Sequence, residues 1–128
     1  MALLVLLEKW FEMSVTCVRW HGHDSEFFRL IAGVRQGGVL SPFLFAIFVD
    51  DVVKKVQSVN TGYYVSHVCT SSFLYADDIL LLAPSVSSLQ KLLSACEEEL
   101  YFLDMRISMI KSRFVYVSVT GMMCVVHR

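Results

Sequence analysis

Two adjacent carboxylates, Asp77 and Asp78, stand at the centre of SSFLYADDILLLAPS (71–85), a run otherwise dominated by apolar residues. An unpaired buried charge costs several kcal/mol or is forced to neutralise, so something must offset this pair. Close carboxylates resist joint ionisation unless a cation supplies the opposing charge. Carboxylate oxygens with open water positions suit Mg²⁺, usually completed by substrate phosphates. Asp is also a common turn residue, and a solvated turn accommodates the same pattern. Adjacent strand residues point to opposite faces, so both acids serve one site only if a turn rotates them.

Other residues compete for a chemical role. Asp50-Asp51 in AIFVDDVV lies toward the end of an expected helix, where successive side chains are about 100° apart, and is read as a surface or supporting pair. His21 and His23 alternate through a polar loop and read as solvent-facing rather than as a metal chelate. Trp10, Trp20 and the nine phenylalanines either offer stacking platforms for bases or, at strand and helix spacing, fill a core. Glu97-Glu98-Glu99 is expected on a solvated helix face. The four cysteines (17, 69, 96, 124) form no CxxC pair and match no zinc spacing, which fits reduced thiols in an intracellular protein.

The elements that must position the acid pair follow from pattern. Residues 2–12 read as a helix, apolar nearly all round and therefore buried. SVTCVRW (14–20) and EFFRLIAGV (26–34) read as strands joined through the polar HGHDS. Gly37-Gly38 end the second strand. Ser41 as N-cap and Pro42 at the first turn predict a helix to about Lys55 or Val56, whose terminal lysines complement its dipole. After the loop 57–62, YYVSHV and SFLYADDILLLA read as strands, with the acids at or beside a turn. A helix is expected from Ser85 or Ser87, with Ser87 and Gln90 as a capping box. Its apolar stripe is Leu89, Leu92, Leu93, Cys96, Leu100 and Leu103. MRIS and RFVYVSV read as closing strands. The order predicts an α+β fold, an antiparallel sheet carrying the acids with helices packed behind it.

Taken together, GVRQGGVLSPFLFAIFVDD (33–51), FLYADDILLLAPS (73–85) and KSRFVYV (111–117) resemble the palm of a reverse transcriptase, an RNA-directed DNA polymerase. The similarity is to the branch found in retrotransposons without long terminal repeats (LINE-type). It covers a palm core of about residues 4–117 in a single partial domain, 1–128, with 118–128 as a divergent tail. It implies that Asp77 is a ligand to two catalytic Mg²⁺ ions, roughly 4 Å apart, that Asp78 supports or partly shares that role, and that Tyr75 packs near the primer 3′ end. It also implies that Arg35, Gln36, Gly37 and Gly38 line the pocket for incoming nucleotide and template base, glycine permitting close backbone approach, and that Lys111 meets phosphate or protonates departing pyrophosphate. The implied partners are RNA template, DNA primer and a deoxynucleoside triphosphate; the implied reaction is attack of a primer 3′-hydroxyl on the α-phosphorus, carried mostly by positioning and charge neutralisation.

The chain departs from that pattern in places. A further metal-binding aspartate belongs on a strand before MALLVLLEKWFEM, the fingers precede it, the thumb follows RFVYV, and Ser108 stands where an Asn often precedes the lysine segment. Little or no polymerase activity is therefore expected of the isolated chain. The alternative is a non-catalytic remnant acting as an interaction or nucleic-acid-binding module. An exposed sheet edge and apolar patch predict self-association.

The totals fit these expectations. At 128 residues and 55% hydrophobic, the chain can bury a sizeable core. Mean hydropathy is +0.57, yet the longest apolar runs fall short of the ~20 residues a membrane span needs, and the first residues lack a basic n-region. No membrane partner is expected. The net charge of −1 gives no overall basic footprint. Residues 41–100 carry three lysines against seven acids, a balance of −4, and residues 101–128 four basic residues against one acid, +3.

Overall fold

A computed structural model describes residues 2–31, 33, 36–117 and 121–127, and within 121–127 only the side chain of Cys124. The chain divides into two units, residues 1–38 and 39–128.

The first unit is built from local structure. Helix α1 (Ala2–Glu12) forms as its apolar pattern predicts, and Ser14 closes it by donating its hydroxyl to the Trp10 carbonyl at 3.0 Å. The expected burial does not follow: no α1 residue is buried, and Leu4 remains 72% exposed. The rest of the unit is four strands of two residues each, which offer no face broad enough to cover a helix. Strand β1 (Val15–Thr16) pairs antiparallel with β4 (Phe28–Arg29). Inside that pair, β2 (Arg19–Trp20) pairs with β3 (His23–Asp24). The expected hairpin is present but tighter than HGHDS suggested, because only His21 and Gly22 turn, both at positive φ (48° and 82°). The Arg19 guanidinium holds the Asp24 carboxyl below its ordinary range.

The second unit holds the core. Helix α2 (Ser41–Ser58) begins at Ser41 itself, with Leu40 at the cap position and Pro42 in the first turn. It presents Val49, Val52 and Val56, each 1–2% exposed, at helical spacing. Strands β5 (Tyr64–Val65) and β6 (Val68–Cys69) form a small hairpin over Ser66-His67. A four-stranded antiparallel sheet follows, from β7 (Ser72–Tyr75), β8 (Asp78–Ala83), β9 (Arg113–Val117) and β10 (Gly121–His127), in the order β7-β8-β10-β9. Helix α3 (Val86–Phe102) crosses behind it. Its cap is Ser85, whose Oγ accepts from the Ser88 amide at 3.2 Å, rather than Ser87.

Alternation decides which face is dry. Ile79, Leu81 and Ala83 of β8 are 0–3% exposed and pack with α2 and α3, where Leu92, Cys96 and Leu100 meet them. Fully burying each leucine contributes about 1.5–3 kcal/mol. Register puts Cys124 opposite Leu81, and it too is buried. The other face carries Phe73, Tyr75 and Val115, 52%, 83% and 43% exposed. The helices therefore cover one face, as expected.

The C-terminal region differs from expectation. MRIS (105–108) forms no strand; Met105 instead tucks into the core as the chain leaves α3. The segment read as a divergent tail supplies β10, an inner strand hydrogen-bonded on both sides. Among the described residues, no helix is long and apolar enough to cross a membrane.

Candidate functional site

The acid pair sits on the tightest turn of the sheet. Tyr75 and Asp78 are register partners, which leaves Ala76 and Asp77 as a two-residue connection. Ala76 adopts φ +50°, a left-handed conformation that costs a non-glycine residue roughly 1–2 kcal/mol. Two-residue hairpins need such a backbone to match strand twist, so the sequence accepts the strain where glycine would relieve it. The result answers the parity problem set by adjacent acids. Asp77 occupies the turn and is exposed, whereas Asp78 is the first residue of β8 and is half-buried. Tyr75, across from Asp78, is 83% exposed.

Two further strands meet the same end of the sheet. His127 of β10 lies opposite Asp78 in register, so the lane beside the acids is filled by the C-terminal strand. The β9–β10 ladder stops at Arg113↔Val125, and Lys111 lies two residues before Arg113, at the level of Asp78. Two strand spacings separate those lanes, about 10 Å. Lys111 is exposed in a turn whose amides donate to the Ser108 carbonyl at 3.1 Å (Lys111) and 2.9 Å (Ser112).

Of the expected nucleotide-pocket residues, Arg35 lies outside the described residues. Gln36 and Gly37 are exposed in a turn of the first unit, Gly38 half-buried, and Gly37 has φ +75°, a conformation that glycine adopts without strain. The hairpin acids belong to the second unit. Asp50 and Asp51 are exposed, and Lys54 bridges both, at 2.7 and 3.1 Å, one helical turn on. The two carboxylates raise the Lys54 pKa. Glu98, from the acidic triplet, reaches Lys55 at 3.2 Å and joins α3 to α2.

Among the described residues, no three His, Cys, Asp or Glu side chains gather as a metal site. Asp77 and Asp78 are a pair rather than a cage. Such a donor set fits one hard divalent ion finished by water or phosphate oxygens, and lacks the ligands to enclose two.

Sequence reasoning missed the support beneath the hairpin. Gly62 passes so close to Ser71 that an added Cβ would overlap the Ser71 Cβ and stand 2.8 Å from its Cα. That contact sets β7 against the 61–63 segment, while the Leu82 amide donates to the Ser71 carbonyl at 2.8 Å. The visible signal was a glycine in a polar loop, which reads only as a turn.

The family described as reverse transcriptase (RNA-dependent DNA polymerase) matches residues 3–124, and the chain belongs to it. Its relatives come from retrotransposons. A Pol polyprotein of the type-1 retrotransposable element R2 of Nasonia vitripennis is 40% identical over 65 residues, 51% of this chain and 6% of that protein. One from the type-2 element R2DM of Drosophila melanogaster is 35% identical over 83 residues, 65% of this chain and 8% of its own length. These elements lack long terminal repeats, the branch that the motifs resembled. The chain matches less than a tenth of the length of either relative. No solved structure matches it.

Proposed function

We propose that this chain is part of the palm of a retrotransposon reverse transcriptase, and that its Tyr75-Ala76-Asp77-Asp78 turn is the metal-holding edge of that palm. One observation carries the reading: the first acid sits on a strained two-residue turn and faces solvent, where hydration alone gives no reason for the strain. Backbone strain of this kind persists at functional sites where the surrounding structure over-determines it. Asp77 and Asp78 would hold a magnesium ion, whose charge supplies the neutralisation that phosphoryl transfer requires. Lys111, at the same sheet end, offers a cation to a phosphate. Arg35, Gln36, Gly37 and Gly38 belong to the nucleotide and template side of the reading, and Tyr75 to the primer side. Template RNA, primer DNA and a deoxynucleoside triphosphate are the partners of the complete enzyme, inside the cell.

With two carboxylates at the turn, the isolated chain is expected to extend a primer on an RNA template little or not at all. The reading is therefore tested by metal binding. Terbium(III), a hard-ion probe, is expected to luminesce by energy transfer from the neighbouring Tyr75 ring and to be displaced by Mg²⁺. Asp77→Asn should abolish the signal, while Asp50→Asn should leave it. Equal luminescence from wild type and Asp77→Asn refutes the assignment. The outer edges of β7 and β9 have no strand partner among the described residues and invite pairing with a second copy; a single monomeric boundary in sedimentation at all concentrations would contradict that.

A further inference from the structure

The hairpin 19–24 is over-braced for what it buries. All its residues are exposed, and an isolated two-stranded hairpin is at best marginally stable in water. Yet three devices hold it. Arg19 grips Asp24 with two parallel hydrogen bonds, Nε to Oδ1 at 2.7 Å and Nη2 to Oδ2 at 2.9 Å, a geometry that fixes orientation as well as adding energy. The Val18 amide donates to Ser25 Oγ at 2.9 Å, and the Ser25 amide returns a bond to the Val18 carbonyl at 2.9 Å. His21 and Gly22 supply the two positive φ angles of a tight turn.

What these devices present is Trp20. Register makes Trp20 and His23 partners, and likewise Arg19 and Asp24, so the ion pair braces one face while the indole and His23 share the other. Trp20 is 73% exposed. Its edge or face is met by His21 at 5.2 Å with the rings at 90°, which restricts the indole without covering it. Within 19–24 it is the only large apolar side chain. A protein partner needs a wider apolar patch than one ring among polar neighbours. A nucleobase needs one flat π-face with donors and acceptors at its rim.

We propose that this hairpin is a base-stacking tip, with Trp20 receiving one unpaired base of a single-stranded RNA or DNA and His23 beside it. The proposal rests on the polymerase reading only for the class of ligand. Because Asp24 cancels Arg19, the tip adds little net charge, and its share of binding should be nearly independent of salt, unlike a phosphate contact.

The test uses the full chain carrying Trp10→Phe, so that Trp20 is the sole indole, without divalent metal. A short unstructured RNA, its DNA counterpart and a blunt duplex are titrated in turn. The expected result is quenching of Trp20 by the single strands and not by the duplex, the RNA and DNA arms showing which sugar is preferred. In anisotropy with labelled strands, Trp20→Ala should bind about five- to a hundredfold more weakly with an unchanged salt slope, while Trp20→Phe keeps most of the affinity. Equal binding by wild type and Trp20→Ala, an unperturbed indole at saturation, or no strand binding by the wild type overturns the proposal. So does a Trp20→Ala variant that changes only the sedimentation behaviour, which would mark a protein contact. None of these outcomes bears on terbium luminescence at Asp77, so failure of the tip and failure of the polymerase reading are separable.

Discussion

Gly62→Ala tests how the acid hairpin is held. The new methyl group would overlap Ser71 Cβ, stand 2.8 Å from Ser71 Cα and touch Cys69 Sγ at 3.4 Å. Ser71 is 1% exposed, and the obstructing atoms are backbone and the first side-chain carbon, so no rotamer change clears the clash. Overpacking of this sort costs about 1–3 kcal/mol, and a rigid obstacle puts it at the upper end. Alanine recovers up to ~1 kcal/mol through lower unfolded-state entropy. The net expectation is a loss of about 2 kcal/mol, or on the order of 10 °C in Tm for a unit of this size. Urea and thermal unfolding followed by circular dichroism measure it. Ser71→Gly in the same chain removes the clashing carbon, and the Ser71 hydroxyl has no hydrogen-bond partner to lose, so the double variant should regain at least half the loss. The single variant should also bind terbium more weakly, because β7 carries Tyr75 to the turn. A Gly62→Ala chain within about 0.5 kcal/mol of wild type, or a second substitution that rescues nothing, refutes the close-approach reasoning.

Ala76→Gly should stabilise the chain by about 0.5–1 kcal/mol, the relief of left-handed strain less the entropy of the added glycine, as read by urea midpoint; destabilisation would mean that the turn is not strained. Burial pushes the Cys96 thiol up to about 12. The folded state therefore resists ionisation, its stability is full below the unfolded thiol value near ~8.5, and it declines as pH rises toward 12. Native Cys96 should react with a maleimide at pH 8 only as fast as the core opens, and rapid native labelling would contradict its burial. Deleting residues 118–128 removes β10 from between β8 and β9, so the truncated chain should lose cooperative unfolding and self-associate; a shorter chain as stable as the full one would show that β10 is dispensable.

Local signals carried much of the architecture. Pro42 and the valine spacing set α2, the leucine stripe set α3, and alternation along ILLLA set the dry face of β8. Each is a property of neighbours in sequence, read directly from period and capping chemistry. The acid turn was legible for the same reason, since strand propensity on both sides of Ala76-Asp77-Asp78 leaves the chain nowhere else to reverse. The Ser85 cap shows the limit of such reading: Ser85 and Ser87 are both competent caps, and the outcome depended on how tightly the chain leaves β8.

By itself, the sequence determined the element types, the acids at a hairpin turn and the polymerase family, because helix period, turn chemistry and motif spacing act over a few residues. Only tertiary structure decided that β10 lies inside the sheet beside Asp78, that Gly62 abuts Ser71, that α1 stays uncovered and that Trp20 stands in solvent. These depend on which distant segments meet, and the same strand-forming pattern fits an edge or a centre equally well until its neighbours are chosen.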